Sequence, residues 1–184
     1  EEILQNSGIK KEICIENLTD IYKEHLAGTV GISKEIGRNM GLSNREIKLL
    51  EKGALFHDFG KVLIPQELLN KPDKLTPEEQ KIVGKHAFLG YELLKTTNIE
   101  PEVLEIVKNH HKYKYNLDNR QNNLLSQIVT VADIYSALTT KRAYKNAMTS
   151  DKAMKSPYDD ILSAPLALAY AHASGLNSPK SSTQ

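Results

Sequence analysis

An all-α fold is predicted by three features of the sequence. Apolar residues recur at helical rather than alternating spacing almost everywhere, and no stretch carries a convincing hairpin pattern. Two segments, Ser43-Asn44-Arg45-Glu46 and Thr76-Pro77-Glu78-Glu79, also have the spacing of a helix capping box, in which hydroxyl and carboxylate each satisfy an orphan backbone N–H.

Taken in order, a first helical region covers roughly residues 11–26, with Ile13, Leu18 and Ile21 as core positions, and a second runs through Val30, Ile32, Ile36 and Met40 to a stop at Gly41. The Ser43 box then starts a helix whose apolar residues (Ile47, Leu49, Leu50, Ala54, Leu55, Phe56) run into the pair His57-Asp58. The chain breaks at Gly60, places a cation at Lys61 and resumes as Val62-Leu63-Ile64-Pro65. A short helix over residues 66–70 precedes the Lys71-Pro72-Asp73 turn, and the Thr76 box, with Pro at the first helical position, opens a helix carrying Ile82, His86, Leu89 and Leu93 inward. Pro101 opens another, leading through Val103, Leu104, Ile106 and Val107 to His110-His111. Residues 112–123 are polar and read as a loop. Leu124, Leu125, Ile128, Val131, Ala132, Tyr135 and Leu138 then form a strongly apolar helix holding one carboxylate, Asp133. Ser150 can cap a further short helix, residues 161–173 read as an Ala/Leu-rich helix interrupted near Pro165, and the composition from Ser178 onward reads as a frayed tail.

The chain has 184 residues, enough for one well-buried domain. With 40% hydrophobic and 26% charged residues it has the composition of a globular protein, and a net charge of +1 gives no global reason to bind a nucleic-acid polymer or a membrane. The single cysteine, Cys14, excludes an intrachain disulfide and makes the cytoplasm the default compartment. No signal peptide or bilayer-spanning apolar run is visible, and a start at Glu1 rather than Met suggests a piece of a larger protein.

Of six histidines, five (His25, His57, His86, His110, His111) sit at or beside apolar helical faces or helix ends; His172 is the exception. A lone histidine on such a face is commonly a hydrogen-bonded core residue. Five of them together with the apolar-flanked Asp58 and Asp133 would each need a buried partner, and a shared metal centre satisfies all at once. Mixed imidazole and carboxylate ligands favour iron, manganese or zinc over magnesium or calcium. Seven ligands exceed one ion with an open position, so two ions bridged by a carboxylate, naturally Asp58, are the economical solution.

The order His25, His57-Asp58, Asp133 resembles the H…HD…D signature of the HD-domain metal-dependent phosphohydrolases. The resemblance is closer still to the HD-GYP branch: His57-Asp58-Phe59-Gly60-Lys61 with Ile64-Pro65 looks like HDxGKxxIP, and Leu69-Asn70-Lys71-Pro72, His86, His110-His111 and Arg142-Ala143-Tyr144-Lys145 follow as in that branch. It implies a single HD-domain helical bundle with a dinuclear metal site in its core. The expected organisation is a lead-in helix or linker over residues 1–17, an HD-GYP-like domain over 18–155, and an Ala-rich helix and tail over 156–184.

By resemblance, His25, His57, Asp58 and Asp133 would hold one divalent ion and Asp58, His86, His110 and His111 the other, with iron or manganese expected and zinc or nickel as alternatives. Two such ions can share a water and present it to phosphorus as hydroxide. Asp58 and Lys61 are thereby the expected catalytic residues. Lys61 would also meet a phosphate oxygen or the leaving group, as would Arg142 and Lys145; their plain readings are a solvated surface lysine and an exposed basic helix end. The implied activity is a phosphodiesterase acting on a nucleotide second messenger, cyclic di-GMP to pGpG or GMP; the alternatives are an HD phosphohydrolase for another nucleotide or phosphoester, and a silent HD signalling module. An N-terminal sensor or receiver domain and a homodimer are the other expected partners.

Two departures stand out. Lys112-Tyr113-Lys114-Tyr115 follows the paired histidines in place of the Gly-Tyr-Pro segment that names the branch, so Lys112 and Tyr113 become candidate substrate contacts or, equally, parts of a solvated loop. Ile21 stands where some members carry a glutamate for a third metal, so two metals are expected unless Asp20 or Glu24 reaches in.

Overall fold

The computed structural model describes residues 20–111 and 124–139, with side chains from Lys23 onward. Among the described residues the chain is helical and without strands. It comprises α1 (Asp20–Asn39), α2 (Asn44–Phe56), a 3₁₀ turn (Phe59–Leu63), α3 (Gln66–Leu69), α4 (Pro77–Val83), α5 (His86–Leu94), α6 (Pro101–Asn109) and α7 (Leu124–Thr139). Helix α7 runs through the middle, packed on α1, α2 and α6, while α5 packs on α6 and on the 3₁₀ turn.

Both capping boxes form, with Ser43 and Thr76 each accepting from the backbone N–H of the glutamate three residues on. Gly41, at φ +74°, ends α1 in a left-handed conformation that a side chain would strain. The paired bonds Leu42 N–H to Gly37 O and Gly41 N–H to Arg38 O, 3.0 Å each, close a Schellman motif around it.

The core is built where these helices face each other: Ile36 (α1), Leu50 (α2), Val103 and Ile106 (α6), and Ile128 and Val129 (α7) are fully buried. Each contributes roughly 1.5–3 kcal/mol by leaving water. Ion pairs tie α2 to its neighbours at the surface, Lys34–Glu51 at 3.0 Å to α1 and Arg45–Glu102 at 2.5 Å to α6.

Three sequence expectations need correction. The stretch from Asp20 to Met40 is not two helices meeting near Leu26 to Val30, since α1 runs unbroken through Gly28 and Gly31. The helix opened by Thr76 does not continue through His86: it stops at Val83, Gly84-Lys85 forms a turn, and α5 begins anew at His86. Ile82 accordingly faces solvent (41% exposed), Leu89 and Leu93 are only half-buried, and Ala87, Gly90 and Leu94 take the inner face. Leu55 likewise points outward, at 43% exposure. The expected helices near Ser150 and over residues 161–173, the tail and the outer limits of all three segments fall outside the described residues.

Candidate metal centre

His57, His86 and His110 occupy helix ends. His57 follows the last residue of α2, His86 is the first of α5, and His110 follows the last of α6. A helix leaves its last-turn carbonyls without N–H partners, and each ring takes one of them three residues back. The Nδ1 atoms of His57, His86 and His110 donate to Ala54 O, Val83 O and Val107 O at 2.7, 2.7 and 2.8 Å. The break between α4 and α5 thus has a local purpose, since Val83 O serves the His86 ring. A carbonyl can only accept, so Nδ1 carries the proton and, in the neutral ring, Nε2 presents a lone pair.

Those lone pairs converge. His86 Nε2 lies 3.3 Å from His110 Nε2 and 3.2 Å from His111 Nε2. His57 Nε2 is fully buried with no hydrogen-bond partner. Its nearest carboxylate oxygens, on Asp58 and Asp133, stand 3.4 and 3.6 Å away, too long for hydrogen bonds. The same Asp133 oxygen, Oδ1, is faced by His25 Nε2 at 3.1 Å.

The ligand atoms fall into two groups, His25/His57/Asp58 and His86/His110/His111, each with its atoms within 4.8 Å of one another. Asp58 stands between them. Its Oδ1 lies 3.1 Å from His86 Nε2, while Oδ2 faces His57 at 3.4 Å and receives Lys61 Nζ at 2.6 Å.

Acceptors aimed at acceptors in a buried space suit a cation, and the electrostatics run the same way. Burial disfavours a charge on His57, yet Asp58 and Asp133 outweigh it and push its pKa from 6.5 up to about 10. Burial likewise resists charge on Asp58, but Lys61 and His57 hold its carboxyl well below the usual range, as the nearby imidazoles of His25 and His57 do for Asp133. His110 goes the other way: burial, then the neighbouring His111, His57 and His86, keep it neutral. A divalent ion in each group would take the orphaned Nε2 lone pairs and balance the carboxylates, so this donor set fits metal.

The surrounding helices are held close to permit this. A Cβ on Gly60 would lie 2.0 Å from His86 O, so only glycine lets the 3₁₀ turn that follows Asp58 reach the start of α5. Thr130 Oγ1 donates to His110 O at 2.5 Å, anchoring that ring's backbone to α7.

All seven residues expected as ligands, together with Lys61, are thus assembled in one place. Lys112, Tyr113, Arg142, Lys145 and His172 lie outside the described residues, and Glu24 is exposed. Sequence reasoning missed Thr130 and Ser136, the latter bonded to His25. Ser136 was legible in principle, because a residue three beyond Asp133 shares its helix face.

The chain matches the HD domain family over residues 22–138 and belongs to it. Within the family it is similar to named phosphodiesterases. It is 33% identical over 144 residues to the cyclic di-GMP phosphodiesterase response regulator RpfG of Xanthomonas campestris, covering 74% of this chain and 37% of that protein. It is 33% identical over 132 residues to a cyclic di-GMP phosphodiesterase of Thermotoga maritima, covering 67% and 36%. It is 32% identical over 120 residues to 3'3'-cGAMP-specific phosphodiesterase 2 of Vibrio cholerae, covering 61% and 23%. The chain therefore spans little more than a third of the length of these relatives at most. In fold it resembles the HD domain of the L. monocytogenes phosphodiesterase PgpH, solved in complex with cyclic di-AMP, with a TM-score of 0.58 at 17% identity over 89% of this chain and 94% of that one. No described helix is long and apolar enough to cross a membrane.

Proposed function

We propose that this chain is a metal-dependent phosphodiesterase that hydrolyses a cyclic dinucleotide, cyclic di-GMP first, to pGpG or GMP. The observation that carries the reading is the division of Asp58, whose two oxygens face two separate histidine groups. One carboxylate shared this way suits a pair of ions, with His25, His57, Asp58 and Asp133 on one side and Asp58, His86, His110 and His111 on the other. Bound there, divalent iron or manganese supplies Lewis acidity toward phosphate oxygens and lowers the pKa of water.

The chain's own groups do the rest. The reaction adds water across a P–O3′ bond: hydroxyl goes to phosphorus, the P–O bond breaks, and the departing O3′ takes a proton. Lys61 is 30% exposed where its partner Asp58 is 3% exposed, so its ammonium stands at the solvent side of the site. A cation held by Asp58 would compete with this ion pair, and Lys61 would then be placed to meet a non-bridging oxygen or the leaving O3′. Arg142 and Lys145, with Lys112 and Tyr113, are the proposed substrate contacts, on sequence grounds.

A second substrate reading has a specific basis, since relatives named for 3'3'-cGAMP and a structural neighbour bound to cyclic di-AMP stand beside those named for cyclic di-GMP. The test is metal content together with turnover of all three dinucleotides. It uses protein prepared without oxygen and supplied with iron or manganese, beside an Asp58→Ala control. About two ions per chain and a turnover that the substitution abolishes are expected. Metal without turnover of any of the three sinks the substrate assignment, and no metal at all favours a silent signalling module.

A further inference from the structure

Among the ligand rings with a described Nδ1 bond, three are held by a carbonyl of the helix end beside them, and His25 is not. It stands within α1, where nearby carbonyls close the helical ladder and none is left over. Its Nδ1 instead meets Ser136 Oγ on α7, at 3.0 Å and 111 residues away. The direction of that bond follows from its neighbour. Ser136 Oγ donates its one proton to His25 O at 2.9 Å, so toward the ring it can only accept. Nδ1 therefore carries the hydrogen, and Nε2 is left to face Asp133 Oδ1.

The opposite wall leaves room for the hydroxyl. A Cβ on Gly28, one turn beyond His25, would lie 2.7 Å from Ser136 Oγ. Ser136 itself is 1% exposed, so this bond lies away from bulk water.

We propose that Ser136 is a positioning residue for the metal centre, fixing the ring orientation and tautomer of His25 across the α1–α7 interface. The inference rests on His25 being a metal ligand. Without the hydroxyl, Nδ1–H is buried with nothing to accept it. The alternative tautomer then gains, with Nε2–H donating to Asp133 and the lone pair needed by an ion consumed. A ligand-orienting partner of this kind is worth on the order of 10–100-fold in metal affinity.

Thr29 provides the comparison, because its Oγ1 donates to the same His25 carbonyl at 2.9 Å without touching the ring. Ser136→Ala and Thr29→Ala each remove a buried hydroxyl from that carbonyl, and only the first touches Nδ1. Gly28→Ala keeps the Ser136 hydroxyl but forces it to rotate away, while improving the helix propensity of α1.

Two readouts are needed: manganese affinity by calorimetry, and the His25 ring ¹⁵N shifts of metal-free protein. Ser136→Ala and Gly28→Ala are expected to weaken one of the two manganese steps by roughly tenfold or more and to move His25 toward the Nε2–H tautomer, with Thr29→Ala unchanged in both. Ser136→Ala that binds manganese like the wild type, or a fall of equal size in Thr29→Ala, overturns the positioning role and leaves the metal reading standing. Wild-type protein that binds neither manganese nor iron overturns the metal reading and with it the positioning role. In metal-free protein, a Ser136→Ala ring that stays in the Nδ1–H tautomer overturns the orienting contact by itself.

Discussion

Gly60→Ala should disable this protein through one added carbon. The Cβ would sit 2.0 Å from His86 O, 2.4 Å from Gly90 N and 2.9 Å from the His86 carbonyl carbon, all backbone atoms that cannot swing aside. Reaching an ordinary 3.4 Å contact from 2.0 Å means opening the 3₁₀ turn from α5 by about 1.4 Å in a close-packed interior. The turn begins beside Asp58 and α5 begins with His86, so that opening falls on the 3.1 Å contact joining the two ligand groups. We expect a stability loss near the upper end of the ~1–3 kcal/mol typical of overpacking, and a turnover loss of ~10²-fold or more for a displacement above ~1 Å. Urea denaturation of the metal-free protein reads the first, and metal stoichiometry with turnover reads the second. A variant within ~0.5 kcal/mol of wild type that still binds two ions would refute the close-approach reasoning.

Other perturbations separate local from long-range effects. Lys61→Met should keep metal binding yet lose on the order of 10²-fold in turnover; full activity would make Lys61 an ordinary surface lysine. Ser43→Ala removes the α2 cap and should cost about 1 kcal/mol in urea denaturation with unchanged metal affinity, whereas a changed affinity would tie that cap to the site. In metal-free protein the raised His57 pKa gives stability that is fully present below about pH 6.5 and lost as pH rises through about 10, because the folded state keeps a proton that the unfolded chain releases. The lowered His110 pKa has the opposite sign, its contribution being lost as pH falls below about 6.5. Urea midpoints across this range should therefore peak near about pH 6.5 without metal, and metal should remove the alkaline decline by replacing the proton on His57. A metal-free midpoint that climbs steadily to about pH 9 contradicts this account.

Sequence alone determined the helical class, because caps, periodicity and a left-handed stop at Gly41 are properties of a few adjacent residues. It also supplied the family and the seven candidate ligands, since residue type and order along the chain survive any packing. Two helix boundaries were misread for a related reason. The stretch around Gly28 reads as the gap between two helical regions, yet it stays helical and gives the Ser136 hydroxyl room. The periodicity through Gly84-Lys85 reads as continuous, but the chain turns there and Val83 O meets the His86 ring. What only the tertiary structure decided is how the ligands divide and which atoms they present. Asp58 turns one oxygen to each histidine group because the Gly60 approach sets the turn against α5. His25 takes its orientation from a serine 111 residues away because, within a helix, it has no spare carbonyl of its own. Such facts depend on how closely separate helices approach, and that distance is set by packing rather than by any local pattern of residues.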